Sequence, residues 1–132
     1  MDLHCFFYYI RNSGFSLLLI KNKHNIDCIF ACMVAFFVNE IFFENFNIVL
    51  LQNYFNDLLA MPAMLSYINL VLSFFGKESV YKTKSIFWIT CCCGFIWEIV
   101  AIWVKPSSNC DVLDFLCYMI GAVGYKLLNG EK

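Results

Sequence analysis

The sequence predicts an all-α integral membrane protein, a bundle of four transmembrane helices with both termini in the cytoplasm. Its 132 residues are 61% apolar and only 14% charged, whereas soluble domains average about 45–50% apolar and 25% charged. Four apolar segments are each about 20 residues long, which as a helix matches a hydrocarbon layer of roughly 30 Å. These segments predict spans at 26–43, 57–75, 85–104 and 110–128.

The basic residues predict the orientation of this bundle, because Lys and Arg near membrane spans stay preferentially in the cytoplasm. All but one of the nine would lie at the end that carries the two termini; these are Arg11, Lys21, Lys23, Lys77, Lys82, Lys84, Lys126 and Lys132. Only Lys105 falls at the other end. The bundle is therefore predicted to be N-in and C-in.

The regions outside the spans are short. Residues 1–25 are predicted to be a cytoplasmic or interfacial arm, because Arg11 would cost about 2.5–3.5 kcal/mol at the centre of a span. A fifth span over residues 3–20 remains the alternative. Residues 26–128 are predicted to form a single transmembrane domain, and residues 129–132 a cytoplasmic tail.

The second span is predicted to begin at Asp57, which can act as an N-cap. Pro62 would then lie in the second helical turn, where proline costs little; an earlier start would place it inside the helix and bend the helix. The preceding connection has no Lys or Arg and is predicted to lie outside, with its apolar part, 46–51, along the membrane surface.

The third and fourth spans are predicted to be antiparallel neighbours, because only a short turn around Pro106 joins them. Glycines let helices approach closely in lipid. Gly94 on the third span and Gly121 and Gly124 on the fourth are the predicted packing positions.

Acidic residues predict a site in the outer half of the bundle. Ionisable groups at membrane depth usually face the bundle interior and mark a functional site. The candidate residues for binding a ligand or cation are Asp57, Glu98, Asp111, Asp114, Tyr118, Asn53 and Lys105. The alternative is that these carboxyl groups are structural and hydrogen-bond neighbouring helices.

Glu98 and Asp114 are predicted to meet. Glu98 lies about 10 Å below the outer end of its span and Asp114 about 4.5 Å inside Asp111, so their depths are similar. Two carboxylates in low dielectric cannot both ionise cheaply. We expect them to share a proton, a cation or Lys105.

Other kinds of function have no support in the sequence. Signatures of common enzymes are missing, so no catalytic residue is proposed and an enzyme is not expected. No basic run suggests nucleic-acid binding. Both histidines lie far from the acids, so a metal site would be built of oxygen ligands suited to Mg²⁺ or Ca²⁺. The eight cysteines are predicted to pack as small apolar residues without disulfides.

Two strings carry a resemblance. NYFNDLLAMP at 53–62, and Glu98 followed by DVLDFLCYMIG at 111–121, resemble small bacterial membrane proteins often labelled magnesium citrate secondary transporters. The second string is also similar to the VanZ-like layout of a buried Glu, a basic residue and an Asp-x-x-Asp pair. Lys105 would be the basic residue here. Tyr118 stands where that layout has Asn.

The resemblance implies a multi-pass protein of the bacterial cytoplasmic membrane. We expect an outward-facing acidic site that binds or transports a cation or a small polar ligand. The two alternatives are a VanZ-like role in the envelope response to glycopeptides and a non-catalytic assembly or accessory role. The expected partners are the lipid bilayer and further copies of the chain, since four helices alone are few for a transport pathway.

Reporter fusions test the orientation. Fusions at either terminus or at Lys82 should report a cytoplasmic position, and insertions at Asn53 or Ser107 an external one, because eight of the nine basic residues share one side. A cytoplasmic signal from the Ser107 insertion would overturn the predicted topology.

Overall fold

The computed structural model describes residues 14–44, 49–104, 106 and 111–129. Over these ranges all regular structure is helical, which confirms the all-α prediction. The helices are α1 (Gly14–Lys21), α2 (Lys23–Glu44), α3 (Val49–Phe74), α4 (Thr83–Val104) and α5 (Val112–Asn129). Helices α2 to α5 are each long and apolar enough to cross a membrane.

The described surface is apolar and much of the interior is polar. Large apolar side chains point outward along every long helix, among them Phe30, Ile41, Trp103 and Leu127. The buried polar side chains are those of Asn22, Asn25, Asn39, Ser66, Asn69 and Thr90. This distribution is the reverse of that in a soluble domain and suits a bundle surrounded by lipid.

Helices α1 and α2 are nearly continuous. The backbone N–H of Asn22, between them, donates to Leu18 at 3.1 Å, and its carbonyl accepts from Ile26 at 3.1 Å, as within a helix. The Asn22 side chain donates to the Leu18 carbonyl at 2.8 Å and to Ser73 Oγ at 2.7 Å. The predicted arm thus includes a short helix tied to the end of α3, while residues 1–13 lie outside the described ranges.

Helix α3 starts two turns earlier than predicted, at Val49. Asp57 is therefore inside the helix and is not its N-cap. The reason is a tertiary contact: Asn56 accepts a hydrogen bond from Asn39 Nδ2 at 2.6 Å and donates to Glu40 Oε1 at 2.9 Å, both on α2. These bonds hold the first turns of α3 against α2.

Pro62 consequently lies in the middle of α3. Proline has no N–H, so the carbonyl of Leu58, one turn earlier, lacks its usual helical partner. This carbonyl points at α5, where a Cβ on Gly121 would lie only 2.3 Å from the Leu58 oxygen and 3.1 Å from Pro62 Cδ. Only glycine allows α5 to approach α3 so closely at this position.

Helix α3 is the centre of the bundle. It packs extensively against both α2 and α5, whereas α4 packs less extensively and mainly against α5. The α4–α5 contact was predicted, and Gly94 lies within it, facing Tyr118 and Phe115. The close approach of Gly121, however, is to α3 and not to α4. Gly124 has open space where a Cβ would be, so it makes no close helix contact among the described residues.

Gly76 ends α3 with a positive φ of 67°. The N–H of Gly76 donates to the Ser73 carbonyl at 3.1 Å and that of Lys77 to Leu72 at 2.8 Å, which is the Schellman arrangement. The chain then turns back along α3. Asn69 bonds both backbone groups of Val80 in the loop, accepting from its N–H at 2.6 Å and donating to its carbonyl at 3.2 Å.

A buried polar network joins three helices near this loop. Asn69 Nδ2 on α3 also donates to the Tyr125 hydroxyl on α5 at 2.7 Å, and that hydroxyl donates to Asn25 Oδ1 on α2 at 2.9 Å. Tyr125 and Asn69 are both completely buried. Each of these side chains provides a hydrogen-bond partner for another that would otherwise be unpaired in an apolar environment.

We predict that Gly121→Ala destabilises the protein, because the new methyl group would overlap the Leu58 carbonyl and force α3 and α5 apart. The expected loss is about 1–3 kcal/mol of unfolding free energy, measured by thermal unfolding in detergent. Gly124→Ala, one turn away on the same helix, is the matched control and should cause no loss. Equal losses at the two positions would contradict the close approach.

Tyr125→Phe should also destabilise the protein, by about 1 kcal/mol, because it leaves the Asn69 and Asn25 side chains without the bridging hydroxyl. Tyr67→Phe on α3 is the control, since Tyr67 is 58% exposed. Helix unfolding followed by circular dichroism would measure both. A Tyr125→Phe protein as stable as the parent would show that the hydroxyl does not link the helices.

Candidate functional site

An open cavity of about 370 Å³ lies at the end of the bundle where α2 and α4 finish and α3 and α5 begin. Its lining is formed by α3, α4 and α5 and by the residue just before α5. Four carboxyl groups converge on it, those of Asp57, Glu98, Asp111 and Asp114. Under the predicted topology this is the outer end.

Asp57 is the acid on α3, and it is half-buried. Its Oδ1 accepts a hydrogen bond from the Tyr118 hydroxyl of α5 at 3.3 Å. Tyr118 is only 2% exposed and lies three residues before Gly121, on the same face of α5. The close helix approach at Gly121 therefore brings the Tyr118 hydroxyl to Asp57.

Asp114 is the partner that faces Asp57. It lies one turn before Tyr118 on α5, and the two carboxyl groups are close enough for a hydrogen bond if one carries a proton. Glu98, the predicted partner of Asp114, lines the same cavity from α4. Asp57 was not predicted as a partner of Asp114; the contact follows from the extensive packing of α5 against α3.

The Asp111 side chain accepts two hydrogen bonds. Its Oδ1 accepts from the Leu113 N–H at 3.3 Å, which caps the start of α5. Its Oδ2 accepts a hydrogen bond from the Tyr54 hydroxyl of α3 at 3.2 Å. Asp111 thus caps the first turn of α5 and lines the acidic cavity.

Glu98 is supplied by α4, three residues before Ala101, which also lines the cavity. Glu98 is half-buried, and the neighbouring Trp97 lies at the cavity with 56% of its side chain exposed. The carboxyl group of Glu98 and the Trp97 ring are therefore the contribution of α4 to the acidic cavity.

The α3 wall is supported from behind by α2. Asn56 lines the cavity and is held by its hydrogen bonds to Asn39 and Glu40. Asn39 is 2% exposed. This amide pair fixes the first turns of α3, and hence the positions of Tyr54 and Asp57.

Most residues of the predicted site meet in this cavity. Asn53, Asp57, Glu98, Asp111, Asp114 and Tyr118 line it, while Lys105 lies outside the described residues. Sequence reasoning did not name Tyr54, Asn56 or Trp97 as site residues. The signal for Asn56 was present, since the polar residues at 53, 56 and 57 share one helical face if α3 starts early enough.

The charged side chains described in the cavity lining are all acidic. Among the described residues that line the cavity, none is Lys, Arg or His. The described residues also include no group of three His, Cys, Asp or Glu side chains placed to hold one metal ion. The acids therefore surround a space and do not form a compact ligand shell.

Comparisons with known proteins gave no relative: no family model, curated protein or solved structure matches the chain.

A double-mutant cycle tests the Asp57–Asp114 contact. Each single change, Asp57→Asn or Asp114→Asn, should raise thermal stability in detergent by removing repulsion between two carboxyl groups in low dielectric. The double variant should gain less than the sum, by about 0.5–1 kcal/mol, because the second change relieves a repulsion already gone. Asp27 is an exposed acid on α2 outside the cavity and provides the control. The stability changes caused by Asp57→Asn and Asp27→Asn should be additive. Additivity in both pairs would contradict the contact.

Proposed function

We infer that the protein binds a cation in the acidic cavity, at the outer side of a bacterial cytoplasmic membrane that α2 to α5 span. The observation that carries this proposal is the convergence of Asp57, Glu98, Asp111 and Asp114 from three parts of the chain on one cavity of about 370 Å³. The sequence segments that supply them are far apart. A purely structural role would not require all four to face one space.

Electrostatics supports a positively charged ligand. Carboxylates at the edge of a low-dielectric bundle repel one another unless a proton or a cation compensates them. The tyrosine hydroxyls at Asp57 and Asp111 are neutral donors and leave the negative charge in place. A bound cation removes the repulsion, so its binding is favoured over that of a neutral ligand of the same size.

The geometry favours a cation that does not need a complete shell of protein ligands, either a hydrated metal ion or an organic ammonium ion. Mg²⁺ usually retains several waters and binds through one or two carboxylates, and an organic ammonium ion needs only charge and an aromatic face. Asp57 beside Asp114 provides the carboxylates, and Trp97 provides the ring. Hydrated Mg²⁺ or Ca²⁺ and organic ammonium ions are thus the ligands to test.

A VanZ-like role in the response to glycopeptides is the second candidate. It is favoured by the meeting of Glu98, Asp111 and Asp114, three of the residues that carry that resemblance, in one cavity. Overexpression should then change susceptibility to glycopeptides, and Glu98→Gln should abolish the change. In an accessory protein the same variant would leave susceptibility unchanged and a stable partner would copurify.

Ligand binding is tested by thermal unfolding of the purified protein with Mg²⁺, Ca²⁺ and choline. We expect a saturable stabilisation by at least one of these, about 2.7 kcal/mol at a concentration one hundred times the Kd. Glu98→Gln and Asp57→Asn should weaken the apparent affinity at least tenfold. Asp27→Asn, outside the cavity, is the matched control and should not. No stabilisation by any cation, or equal effects of all three variants, would overturn the proposal.

A further inference from the structure

A second, apolar cavity lies between α4 and α5 on the outside of the bundle. It has a volume of about 670 Å³, and its walls are mainly apolar side chains such as Phe95, Ile99 and Phe115. We call this cavity the α4–α5 groove. It exists because α4 packs less extensively than the other long helices, so its side chains leave a furrow against α5.

The groove adjoins the acidic cavity. Glu98 and Asp111 line both spaces. The apolar groove thus has two carboxyl groups near its outer end, and these line the acidic cavity together with Asp57 and Asp114. A ligand lying in the groove would have one end at this negative charge.

The length of the groove fits one lipid chain. Its lining on α4 runs from Trp88 to Ile102, which is about 21 Å along a helix. One leaflet of a bilayer is about 15 Å deep, half of the roughly 30 Å hydrocarbon layer. The part of the groove from Trp88 to Glu98 is also about 15 Å long, so a single alkyl chain whose polar end lies at Glu98 fits along it.

We propose that the cation bound in the acidic cavity is the head group of an amphiphile whose alkyl chain lies in the α4–α5 groove. The ligand class is a long-chain compound with a positively charged amine at its polar end. This proposal rests on the proposed cation-binding function and adds the chemical class of the ligand. Charge complementarity selects the occupant, because Glu98 and Asp111 lie near the outer end of the groove.

Other head groups fit less well. An anionic head would be repelled by the four carboxyl groups, and the described cavity lining has no basic side chain to attract it. A neutral alcohol would leave the carboxyl groups uncompensated. The Trp97 ring beside Glu98 adds a surface on which an alkylammonium group can rest.

The experiment compares three probes with the protein in phosphatidylcholine nanodiscs. Tetradecylamine carries both chain and charge, tetradecanol the chain alone, and ethylamine the charge alone. Binding is measured as the shift of the unfolding temperature with probe concentration. We expect tetradecylamine to act at a concentration at least tenfold lower than ethylamine, and tetradecanol to have no saturable effect. Glu98→Gln should remove the preference for the amine over the alcohol.

Two variants on α4 separate the groove from the cavity. Ile99→Trp fills the groove, whose wall includes Ile99, and should reduce the tetradecylamine effect at least tenfold while leaving ethylamine unchanged. Ile96→Trp is the matched control, because Ile96 is 59% exposed and lies outside the groove lining. It should leave both probes unchanged.

The outcomes distinguish this proposal from the proposed function. If ethylamine and tetradecylamine shift the unfolding temperature at the same concentration, and Ile99→Trp alters neither shift, the proposed amphiphilic ligand is wrong. Cation binding in the acidic cavity would still stand. If tetradecanol stabilises the protein as much as tetradecylamine does, the proposal that the head group is positively charged is wrong. Disulfide-linked dimers through Cys92, a groove residue, would show that a second copy occupies the groove. If no amine binds and metal ions also fail, both proposals fall.

Discussion

The fold depends on pairing polar groups inside a bundle whose surface is apolar. A buried donor or acceptor has no water to bond in lipid, so it must find a partner on another helix. Helix α3 supplies a partner at both ends, with Asn69 bonded to Tyr125 at one end and Asn56 bonded to Asn39 at the other. The helices that pack most extensively against α3, α2 and α5, are the ones these bonds reach.

The proline in α3 determines how closely the next helix approaches. Because Pro62 cannot donate to the Leu58 carbonyl, that oxygen is directed at α5, and Gly121 is the residue that makes room for it. From this contact α5 continues toward the cavity with Tyr118 and Asp114 on the same face. The position of the site therefore follows from a backbone contact one turn away from it.

The two ends of the bundle use polar groups differently. At the loop end, Asn69, Tyr125 and Asn25 are neutral and bond one another, which stabilises the bundle and leaves no net charge. At the other end the converging groups are carboxyls, and the described residues around them supply only neutral donors. The first arrangement is suited to holding helices together and the second to attracting a cation.

The sequence by itself determined the number of long helices and the acidic residues of the cavity, because apolar segment length and rare charges at membrane depth are local properties. It also placed Gly94 against the fourth span. The start of α3, the partner of Asp114 and the use of Gly121 were decided by tertiary structure. Each depends on which helices are neighbours, and in this bundle that choice comes from side-chain bonds such as Asn56 to Asn39 that no periodicity reveals. The apolar groove beside Glu98 likewise exists only because α4 packs less extensively than its neighbours.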